Sequence, residues 1–268
     1  FISGNKLFKL KHNVARALLE EKNMLITFGG AFSNHILATA AYAKKKNIDC
    51  LAIVRGEEYS ELNPLLALAK EYGMNFCFVS RKEYAKRNDN NYISELIRKY
   101  KKAFIVPEGG NNRLGVLGAE EILETQDKSF DYIICPIGTG ATLSGIVNSS
   151  NRSQKVIGIN CINDTKDINK NISQKTNKNN WEIINEFNFG GFAKFDNLLT
   201  EYLKKFKLNY KITLDLNYTT KMFFGFEKLI ERRYFHRKSK VLLIHTGGTY
   251  GNLGFNYLYD LDLPHESN

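Results

Sequence analysis

The chain has 268 residues, of which 43% are hydrophobic and 25% charged. This balance is typical of globular proteins, and the length suffices for one large domain or two modest ones. The net charge of +10 would suit a nucleic acid, but lysine is scattered along the chain with asparagine and forms no basic stripe, so we expect no nucleic-acid partner. No apolar run approaches the roughly 18 residues of a membrane span, and we expect no membrane partner.

The first hundred residues alternate between strand-like and helical patterns. Helices are predicted between short apolar runs, each of which is the length of a buried strand. The predicted strands are residues 24–28, 49–54, 75–79 and 103–106, and the predicted helices are residues 34–46, 65–72 and 92–101. Near-continuous apolar strands separated by helices indicate a parallel sheet covered on both faces.

A polar turn at residues 107–112, Pro-Glu-Gly-Gly-Asn-Asn, interrupts this rhythm, and a second strand and helix series follows. Its predicted strands are residues 132–137, 156–161 and 241–245, and its predicted helices are residues 117–125, a segment from 142, 198–207 and 222–232. Residues 163–180 are rich in lysine and asparagine with little apolar periodicity, and we expect a mobile loop or insertion there. The sequence therefore predicts an α/β protein with two parallel-sheet αβα domains that divide near residue 107.

The turn at residues 28–35, Phe-Gly-Gly-Ala-Phe-Ser-Asn-His, joins a predicted strand to a predicted helix. Glycine lets the backbone approach a ligand, and Ser33 or Asn34 can cap the helix. The N–H groups at the start of such a helix suit a carboxylate or a phosphate. An ordinary capped turn explains the same residues about equally well.

A second glycine turn, Ile-Gly-Thr-Gly-Ala-Thr at residues 137–142, also leads from a strand into a helix. A dinucleotide-binding loop would need its third glycine earlier than Gly145, and a Walker loop would need Gly-Lys-Ser/Thr. Small residues, two threonine hydroxyls and converging N–H groups instead favour a compact site for one phosphate.

Three further segments carry candidate groups. Residues 3–10, Ser-Gly-Asn-Lys-Leu-Phe-Lys-Leu, place Lys6 in a Gly-Asn turn before a helix. Such an amine can hold an aldehyde cofactor, although most lysines in such turns are solvated. Thr246, in a glycine turn after the last strand, can meet the edge of a ring, or the segment is simply a tight turn. Tyr218 precedes a helix, but with 14 tyrosines in the chain a structural role explains it better when it is considered alone.

Other chemistries find little support in the sequence. There is no Gly-x-Ser-x-Gly elbow of a serine hydrolase, and the five histidines form no metal-binding pair, so we expect no metal. The four cysteines lie far apart in or beside apolar runs. This pattern predicts buried, reduced thiols and a cytoplasmic protein.

Taken in order, these segments resemble the pyridoxal-phosphate enzymes of fold type II, in the branch of D-cysteine desulfhydrase and 1-aminocyclopropane-1-carboxylate deaminase. The resemblance spans almost the whole chain. The matching stretches are SGNKLFKLK at 3–11, FGGAFSNH at 28–35, PEGGNNRLGVLG at 107–118, IGTGATLSG at 137–145, LDLNYTTKM at 214–222 and HTGGTYG at 245–251. Members of this family have a further segment before the Gly-Asn-Lys turn, and because the chain starts at Phe1 we expect residues upstream of it.

The resemblance implies roles for particular residues and a pyridoxal 5′-phosphate cofactor bound between the two domains. Lys6 would form the Schiff base, Lys9 would face the cofactor phosphate, and Asn34 would hydrogen-bond the phenolic oxygen. The substrate carboxylate would meet Ser33, Asn34 and His35, and we also assign Ser33 a catalytic part. The remaining positions are Tyr218 over the substrate, Thr246 near the pyridine nitrogen, and Gly138, Thr139, Gly140, Ala141 and Thr142 around the phosphate.

Two positions divide this branch. Cyclopropane deaminases have Glu after the equivalent of Tyr218 and Leu before the final Gly-Gly, whereas this chain has Thr219 and Thr246, as in the desulfhydrase-like members. A glutamate would keep the ring nitrogen protonated, while threonine offers only a neutral hydrogen bond. One departure from the family is Phe192, where many members have a second active-site tyrosine, and this departure leaves the substrate open.

The resemblance implies a lyase that removes the β-substituent and the amino group of a small amino acid, with D-cysteine as the expected substrate and pyruvate, sulfide and ammonia as products. The alternatives are 1-aminocyclopropane-1-carboxylate deamination, a lyase or racemase of other D-amino acids, and a protein that binds the cofactor or nucleic acid without turnover. We expect a smaller domain at 14–106, a larger cofactor-binding domain formed by 1–13 and 107–268, and a homodimer.

Overall fold

The computed structural model describes residues 4–57, 61–164 and 166–265. The chain divides into two compact units, Phe1–Gly115 and Val116–Asn268. Each unit contains a four-stranded sheet in which all pairs of neighbouring strands are parallel. The predicted α/β class with two parallel sheets is confirmed. The expected grouping of residues 1–13 with the larger domain stays a prediction.

In the first unit the sheet has the strand order β3-β2-β1-β4. Its described elements are α1 (Asn5–Leu19), β1 (Met24–Gly30), α2 (Asn34–Lys46), β2 (Asp49–Arg55), α3 (Pro64–Glu71), β3 (Met74–Val79), α4 (Arg81–Tyr84), a 3-10 helix (Ala85–Asn88), α5 (Asn90–Lys99), β4 (Ala103–Val106) and a 3-10 turn (Glu108–Gly110). Thr27 of β1 pairs with Val106 of β4. The turns that follow these two strands therefore lie at the same edge of the sheet.

In the second unit the strand order is β7-β6-β5-β8. Its described elements are α6 (Arg113–Glu120, which starts just before the boundary), a 3-10 helix (Thr125–Ser129), β5 (Tyr132–Ile137), α7 (Ala141–Ser149), β6 (Lys155–Asn160), α8 (Lys166–Ser173), β7 (Trp181–Ile184), α9 (Asn197–Tyr210), α10 (Thr219–Glu231), β8 (Val241–Leu243) and α11 (Gly251–Tyr259). Because β5 lies beside β8, the turns after these two strands share an edge.

Strand β5 shows why the second sheet is covered on both faces. Its side chains alternate between faces, as the strand geometry requires. Ile133 and Ile137 belong to an apolar cluster that contains residues of α7 and α8, while Ile134 belongs to another that contains residues of α10. Both faces of the strand are therefore buried, in keeping with its continuous apolar sequence.

The loop predicted at residues 163–180 is wrong in part, because it contains α8 and lies directly before β7. Ile168 and Ile172 are four residues apart, so they share one face of the helix, and both are buried against the core. Asp164 Oδ1 accepts the Asp167 N–H at 3.2 Å, which caps the start of this helix. One residue of the predicted loop, Thr165, lies outside the described ranges.

Two other features of the described chain bear on earlier expectations. All four cysteines are free thiols, with Cys50, Cys135 and Cys161 buried and Cys77 half-buried. None of the helices in the described ranges has both the length and the hydrophobicity that crossing a bilayer requires.

Candidate active site

Helix α1 carries the two candidate lysines of the first unit. Gly4 precedes the helix with a φ of 61°, a conformation that glycine adopts without strain. Lys6 and Lys9 are three residues apart and therefore lie on the same side of α1. Lys6 is half-buried, with its Nζ donating to Asn5 Oδ1 at 3.1 Å, whereas Lys9 is only 3% exposed. Ser3, the first residue of the predicted motif, lies outside the described residues.

The turn between β1 and α2 holds the predicted carboxylate-binding residues. Ser33 is the N-cap, and its Oγ accepts the Ile36 N–H at 3.4 Å. Gly29 is required because a Cβ there would lie 2.7 Å from Ile36 Cδ1. Asn34 and His35 form the first turn of α2, where backbone N–H groups have no acceptor within the helix. The helix start is thus suited to an anion.

The side chain of His35 is buried and directed toward the sheet. Thr27 Oγ1 donates its proton to the Val106 carbonyl at 2.9 Å. His35 Nε2 lies 2.9 Å from the same hydroxyl oxygen, so Nε2 must carry the hydrogen. Burial and then the positive charges of Lys6 and Lys9 lower the pKa of His35 well below 6.5, while the Pro107 backbone opposes this by a smaller amount. His35 is therefore a neutral residue beside two lysines.

The turn after β4 closes around the same group of side chains. A Cβ on Gly110 would lie 3.3 Å from both Cβ and Cε of Lys9 and 3.9 Å from His35 Cε1. Asn112 donates to Asn13 of α1 at 2.7 Å, and Asn13 donates back at 3.2 Å. The structure thus brings together Lys6, Lys9 and His35.

In the second unit, the turn after β5 has the geometry expected of an anion-binding loop. Gly140 is the N-cap of α7 with a φ of 86°, where a side chain would be strained. A Cβ at this position would also lie 3.1 Å from Ile172 Cγ1 of α8. Ala141 and Thr142 form the first helical turn, where backbone N–H groups have no acceptor within the helix itself. Thr139 connects Gly138 to this N-cap.

Tyr218 lies against this loop. A Cβ on Gly138 would be 3.1 Å from Tyr218 Cε1 and 3.3 Å from its hydroxyl oxygen, so the glycine allows the ring to approach the backbone. The ring of Phe192 also lies near Tyr218, with ring centroids 6.2 Å apart. Two of the residues that the sequence singled out, Gly138 and Tyr218, are therefore in direct proximity.

The backbone around Tyr218 is fixed by the buried carboxylate of Asp215. Asp215 Oδ2 accepts the N–H groups of Asn217 at 3.1 Å and Tyr218 at 3.0 Å. Its Oδ1 accepts the Thr219 N–H at 2.9 Å and the Thr219 hydroxyl at 2.8 Å. Burial raises the pKa of Asp215, and the hydrogen bonds from Thr219 and Tyr218 oppose that rise. The hydroxyl of Thr219 is thus used within the start of α10.

Thr246 follows β8 at the edge where β5 ends, and it is buried. The preceding His245 has its Nε2 at 2.9 Å from the Thr213 carbonyl and accepts the Gly247 N–H on Nδ1 at 3.2 Å. In this pairing Nε2 is the donor to the carbonyl and Nδ1 is the acceptor. In the same turn the hydroxyl of Thr249 is buried and has no hydrogen-bond partner within the described residues.

Sequence reasoning missed several residues that shape these turns. Asp215 stood within a quoted motif but was given no role, and Thr27 in a strand carried no visible signal. Asn252 is fully buried, accepts the Leu216 N–H at 2.9 Å and donates to the Leu214 carbonyl at 2.8 Å. Its helix also contains a second asparagine and two glycines, so the sequence carried no signal that would have suggested Asn252. Among the described residues, no group of three His, Cys, Asp or Glu is placed to hold a metal ion.

Comparison with known proteins agrees with this geometry. The model of the family described as "Pyridoxal-phosphate dependent enzyme" matches residues 2–247. A putative 1-aminocyclopropane-1-carboxylate deaminase from Thermotoga maritima is 30% identical over 93% of this chain and 85% of that protein. A mitochondrial bifunctional D-cysteine desulfhydrase/1-aminocyclopropane-1-carboxylate deaminase from Arabidopsis thaliana is 29% identical over 93% of this chain and 70% of its own length.

The chain belongs to the pyridoxal-phosphate-dependent enzymes. Within them it is related to the branch that contains the cyclopropane-carboxylate deaminases and D-cysteine desulfhydrase. The crystal structure of a homologue of the deaminase, 26% identical, covers 97% of this chain and 85% of its own with a TM-score of 0.82. The predicted family, cofactor and enzyme class are confirmed, and the particular substrate is left open between the two activities.

The chemistry of the residues present fits the functional groups of pyridoxal phosphate. The buried Thr249 hydroxyl is a polar group that finds no partner in the described protein, as expected near a polar ligand. The N-cap at Gly140 suits a single phosphate, and the amine of Lys6 suits an aldehyde. Each unit thus contains a group suited to one part of the cofactor, its aldehyde in the first unit and its phosphate in the second.

Proposed function

We propose that this pyridoxal-phosphate enzyme catalyses β-elimination from a small amino acid, with D-cysteine as substrate and pyruvate, sulfide and ammonia as products. The observation that carries the proposal is the pair Thr219 and Thr246. Because the Thr219 hydroxyl is bonded to Asp215, Thr246 is left as the neutral partner for the pyridine nitrogen. A neutral partner makes a weaker electron sink, which suffices where a good leaving group such as thiolate departs.

The cofactor, when bound, withdraws electron density from the substrate Cα and so makes the Cα proton acidic. The proposed role of Lys6 is to hold the cofactor and then to take that proton on Nζ. Lys9 and the loop of residues 138–142 hold the phosphate, while Asn34 bonds the phenolic oxygen. The physical basis for these assignments is the positive end of a helix, which attracts an anion, and the ammonium groups of Lys6 and Lys9.

The other proposed contacts are with the substrate itself. Ser33 and the N–H groups at the start of α2 bind the substrate carboxylate, since this helix start suits an anion. The role of His35 is to support that helix start with its neutral, buried ring. Tyr218 lies over the substrate and donates its phenolic proton to the departing sulfur. Overall the Cα–H and Cβ–S bonds break and one water is consumed in releasing ammonia and forming pyruvate.

A second candidate is 1-aminocyclopropane-1-carboxylate deamination, which opens the ring to give 2-oxobutyrate and ammonia. It is supported by the names of the relatives from Thermotoga maritima and Rhizobium radiobacter and by the homologue of known structure. The two candidates share the cofactor and the proposed role of Lys6. They differ in whether a thiolate leaves or a carbon–carbon bond breaks.

Product assays on the purified enzyme loaded with cofactor separate these candidates. Sulfide and pyruvate from D-cysteine, in excess of 2-oxobutyrate from the cyclopropane acid, are expected; the reverse order would assign the deaminase. Lys6→Ala is expected to lose the absorption band of lysine-bound cofactor and about 10³-fold or more of the rate, since it removes both the anchor and the base.

Lys11→Ala is the matched control, because Lys11 is an exposed lysine on the same helix. It should retain both the absorption band and the rate. Equal loss in the two variants would contradict the assignment of Lys6. The homodimer and the cytoplasmic location are also kept as proposals, to be checked by light scattering and by cell fractionation.

A further inference from the structure

Lys221 is a buried cation for which the proposed reaction has no use. It is 0% exposed and lies in the first turn of α10, three residues after Tyr218. Its Nζ donates to three backbone carbonyls, those of Gly191 at 2.6 Å, Asn188 at 2.8 Å and Cys161 at 3.3 Å. Three acceptors match the three protons of an ammonium group. Burial lowers the pKa of Lys221, while Cys161 and Asp215 oppose this.

Two of these carbonyls belong to a loop at residues 188–193 with an unfavourable backbone. Phe189 and Ala193 have φ values of 51° and 57°, in the left-handed region that side chains rarely adopt. Gly191 has a φ of 111°, and a Cβ there would lie 3.1 Å from the Ile162 carbonyl oxygen. Such a conformation persists only when its surroundings hold it. Lys221 supplies that restraint by bridging this loop and the segment that follows β6.

A second restraint comes from Asn217, directly before Tyr218. Its Oδ1 accepts the Ala193 N–H at 2.9 Å. Lys221 and Asn217 therefore hold the loop on both sides of Phe192. The Phe192 ring is 46% exposed and lies at a tilt of 49° to the Tyr218 ring. The loop thus places a ring without a hydroxyl beside the phenol that the proposed function assigns to the leaving group.

We propose that Phe192 determines specificity and that Lys221 is the positioning residue that keeps it beside Tyr218. The wall formed by the two rings offers one hydroxyl and an apolar surface to the substrate side chain. Thiol and chloride substituents are accepted there, whereas a hydroxyl substituent loses part of its hydrogen bonding. The substrate class is then a small amino acid whose β-substituent is sulfur or halogen. The proposal rests on the proposed elimination reaction.

The specificity test compares kcat/KM for D-cysteine, β-chloro-D-alanine and D-serine in the holoenzyme. Phe192→Tyr supplies a second hydroxyl and is expected to reduce the preference for β-chloro-D-alanine over D-serine about tenfold. Phe192→Leu, which keeps the wall apolar, should retain the preference. An unchanged ratio in Phe192→Tyr would overturn the role of Phe192.

The positioning test uses Lys221→Met, which keeps an unbranched side chain as long as the aliphatic part of lysine and removes the ammonium group. We expect faster amide exchange at Ala193, faster tryptic cleavage after Lys194, and loss of the same preference. In a double-mutant cycle, Lys221→Met should change the preference little once Phe192 is already Ala. Lys178→Met is the matched control, because Lys178 also donates to two carbonyls of this unit, Asn148 and Ser150 at 2.7 and 2.5 Å.

Asn217→Ala provides a milder variant in case Lys221→Met does not fold, since it removes only the bond to the Ala193 N–H. It should change loop exchange and the substrate preference in the same direction as Lys221→Met. Unchanged exchange at residues 189–193 in a folded variant would overturn the positioning role. Amide exchange and tryptic cleavage can be measured without turnover. If the wild type shows no elimination but the loop exchanges faster in the variants, the proposed reaction is refuted and the positioning role of Lys221 is retained.

Discussion

His35 illustrates how a single hydrogen determines the charge of a site. The Thr27 hydroxyl has one proton, which it donates in a hydrogen bond to the Val106 carbonyl. His35 must therefore donate from Nε2 to the hydroxyl oxygen. Burial and the positive charges of Lys6 and Lys9 disfavour the uptake of a second proton by the ring. A protonated ring at this position would add a third positive charge to a buried group. With His35 neutral, attraction of a carboxylate to the start of α2 comes from the helix N–H groups rather than from the imidazole.

The depressed pKa of His35 predicts a loss of stability in acid. The unfolded chain takes up a proton near pH 6.5, and the folded chain does so only at lower pH, so stability is complete above 6.5 and falls as the pH drops toward the folded pKa. The slope in this range approaches about 1.4 kcal/mol per pH unit for one proton. Urea unfolding between pH 8 and pH 5 measures it.

His35→Gln is the informative variant for this test. The glutamine amide can still donate to Thr27, but it does not titrate, so its free energy of unfolding should depend less steeply on pH below 6.5. His12→Gln, which removes a half-buried histidine of α1, serves as the comparison. Equal slopes for the wild type and His35→Gln would show that His35 is not the responsible group.

At the scale of elements, α8 connects the core of the second unit to the loop of residues 138–142, the proposed phosphate loop. Ile172 is fully buried, and its Cγ1 would lie 3.1 Å from a Cβ on Gly140. The helix therefore packs directly against the N-cap of α7, which has a positive φ. By packing against Gly140, α8 also helps to fix the orientation of the N–H groups at the start of α7.

Truncating Ile172 to alanine is expected to lower the free energy of unfolding by about 2–5 kcal/mol, because it removes apolar contacts and leaves a cavity. The affinity for pyridoxal phosphate should also fall, since the glycine turn loses its support. Urea unfolding and cofactor titration measure the two effects. Leu208→Ala, at a position 68% exposed in α9, is the control and should change both quantities by little. A normal cofactor affinity in Ile172→Ala would show that α8 does not support the loop of residues 138–142.

The elements show what the sequence determines locally and what it does not. Strands such as β5 and β6 are continuous apolar runs, and their prediction needed no knowledge of distant residues. Helix α8 was missed because only Ile168 and Ile172 signal it among lysines and asparagines, and their burial depends on a core assembled from β5, β6 and α7. Helix α11 was not predicted because glycines and asparagine interrupt its pattern.

The same distinction applies to the candidate site. Glycine turns after strands are local signals, so the turn that contains Gly140 could be singled out from the sequence. The Gly-Asn-Lys turn made Lys6 a candidate, and its proposed role came from the family resemblance. Asp215 and Lys221 act through backbone groups that only the folded chain brings near them. Their roles depend on burial and on long-range contacts, which a residue pattern does not report.

For the whole molecule, the cofactor is a ligand whose binding free energy adds to stability. A ligand that binds only the folded chain stabilises it by about 2.7 kcal/mol at a hundredfold excess over Kd, which for a chain of this size corresponds to a rise in Tm of about 5–10 °C. Pyridoxal phosphate should therefore raise the Tm of the cofactor-free protein substantially.

Comparing related ligands assigns that rise to parts of the chain. Pyridoxal has the aldehyde without the phosphate, so it should raise the Tm much less if the loop of residues 138–142 supplies phosphate binding. Lys6→Ala removes the amine but leaves the loop, so pyridoxal phosphate should still raise its Tm, by less than in the wild type. Equal shifts with pyridoxal and pyridoxal phosphate would contradict the phosphate loop. No shift at all with pyridoxal phosphate in Lys6→Ala would mean that the lysine alone carries binding, because the phosphate contacts would then contribute nothing measurable to the folded state.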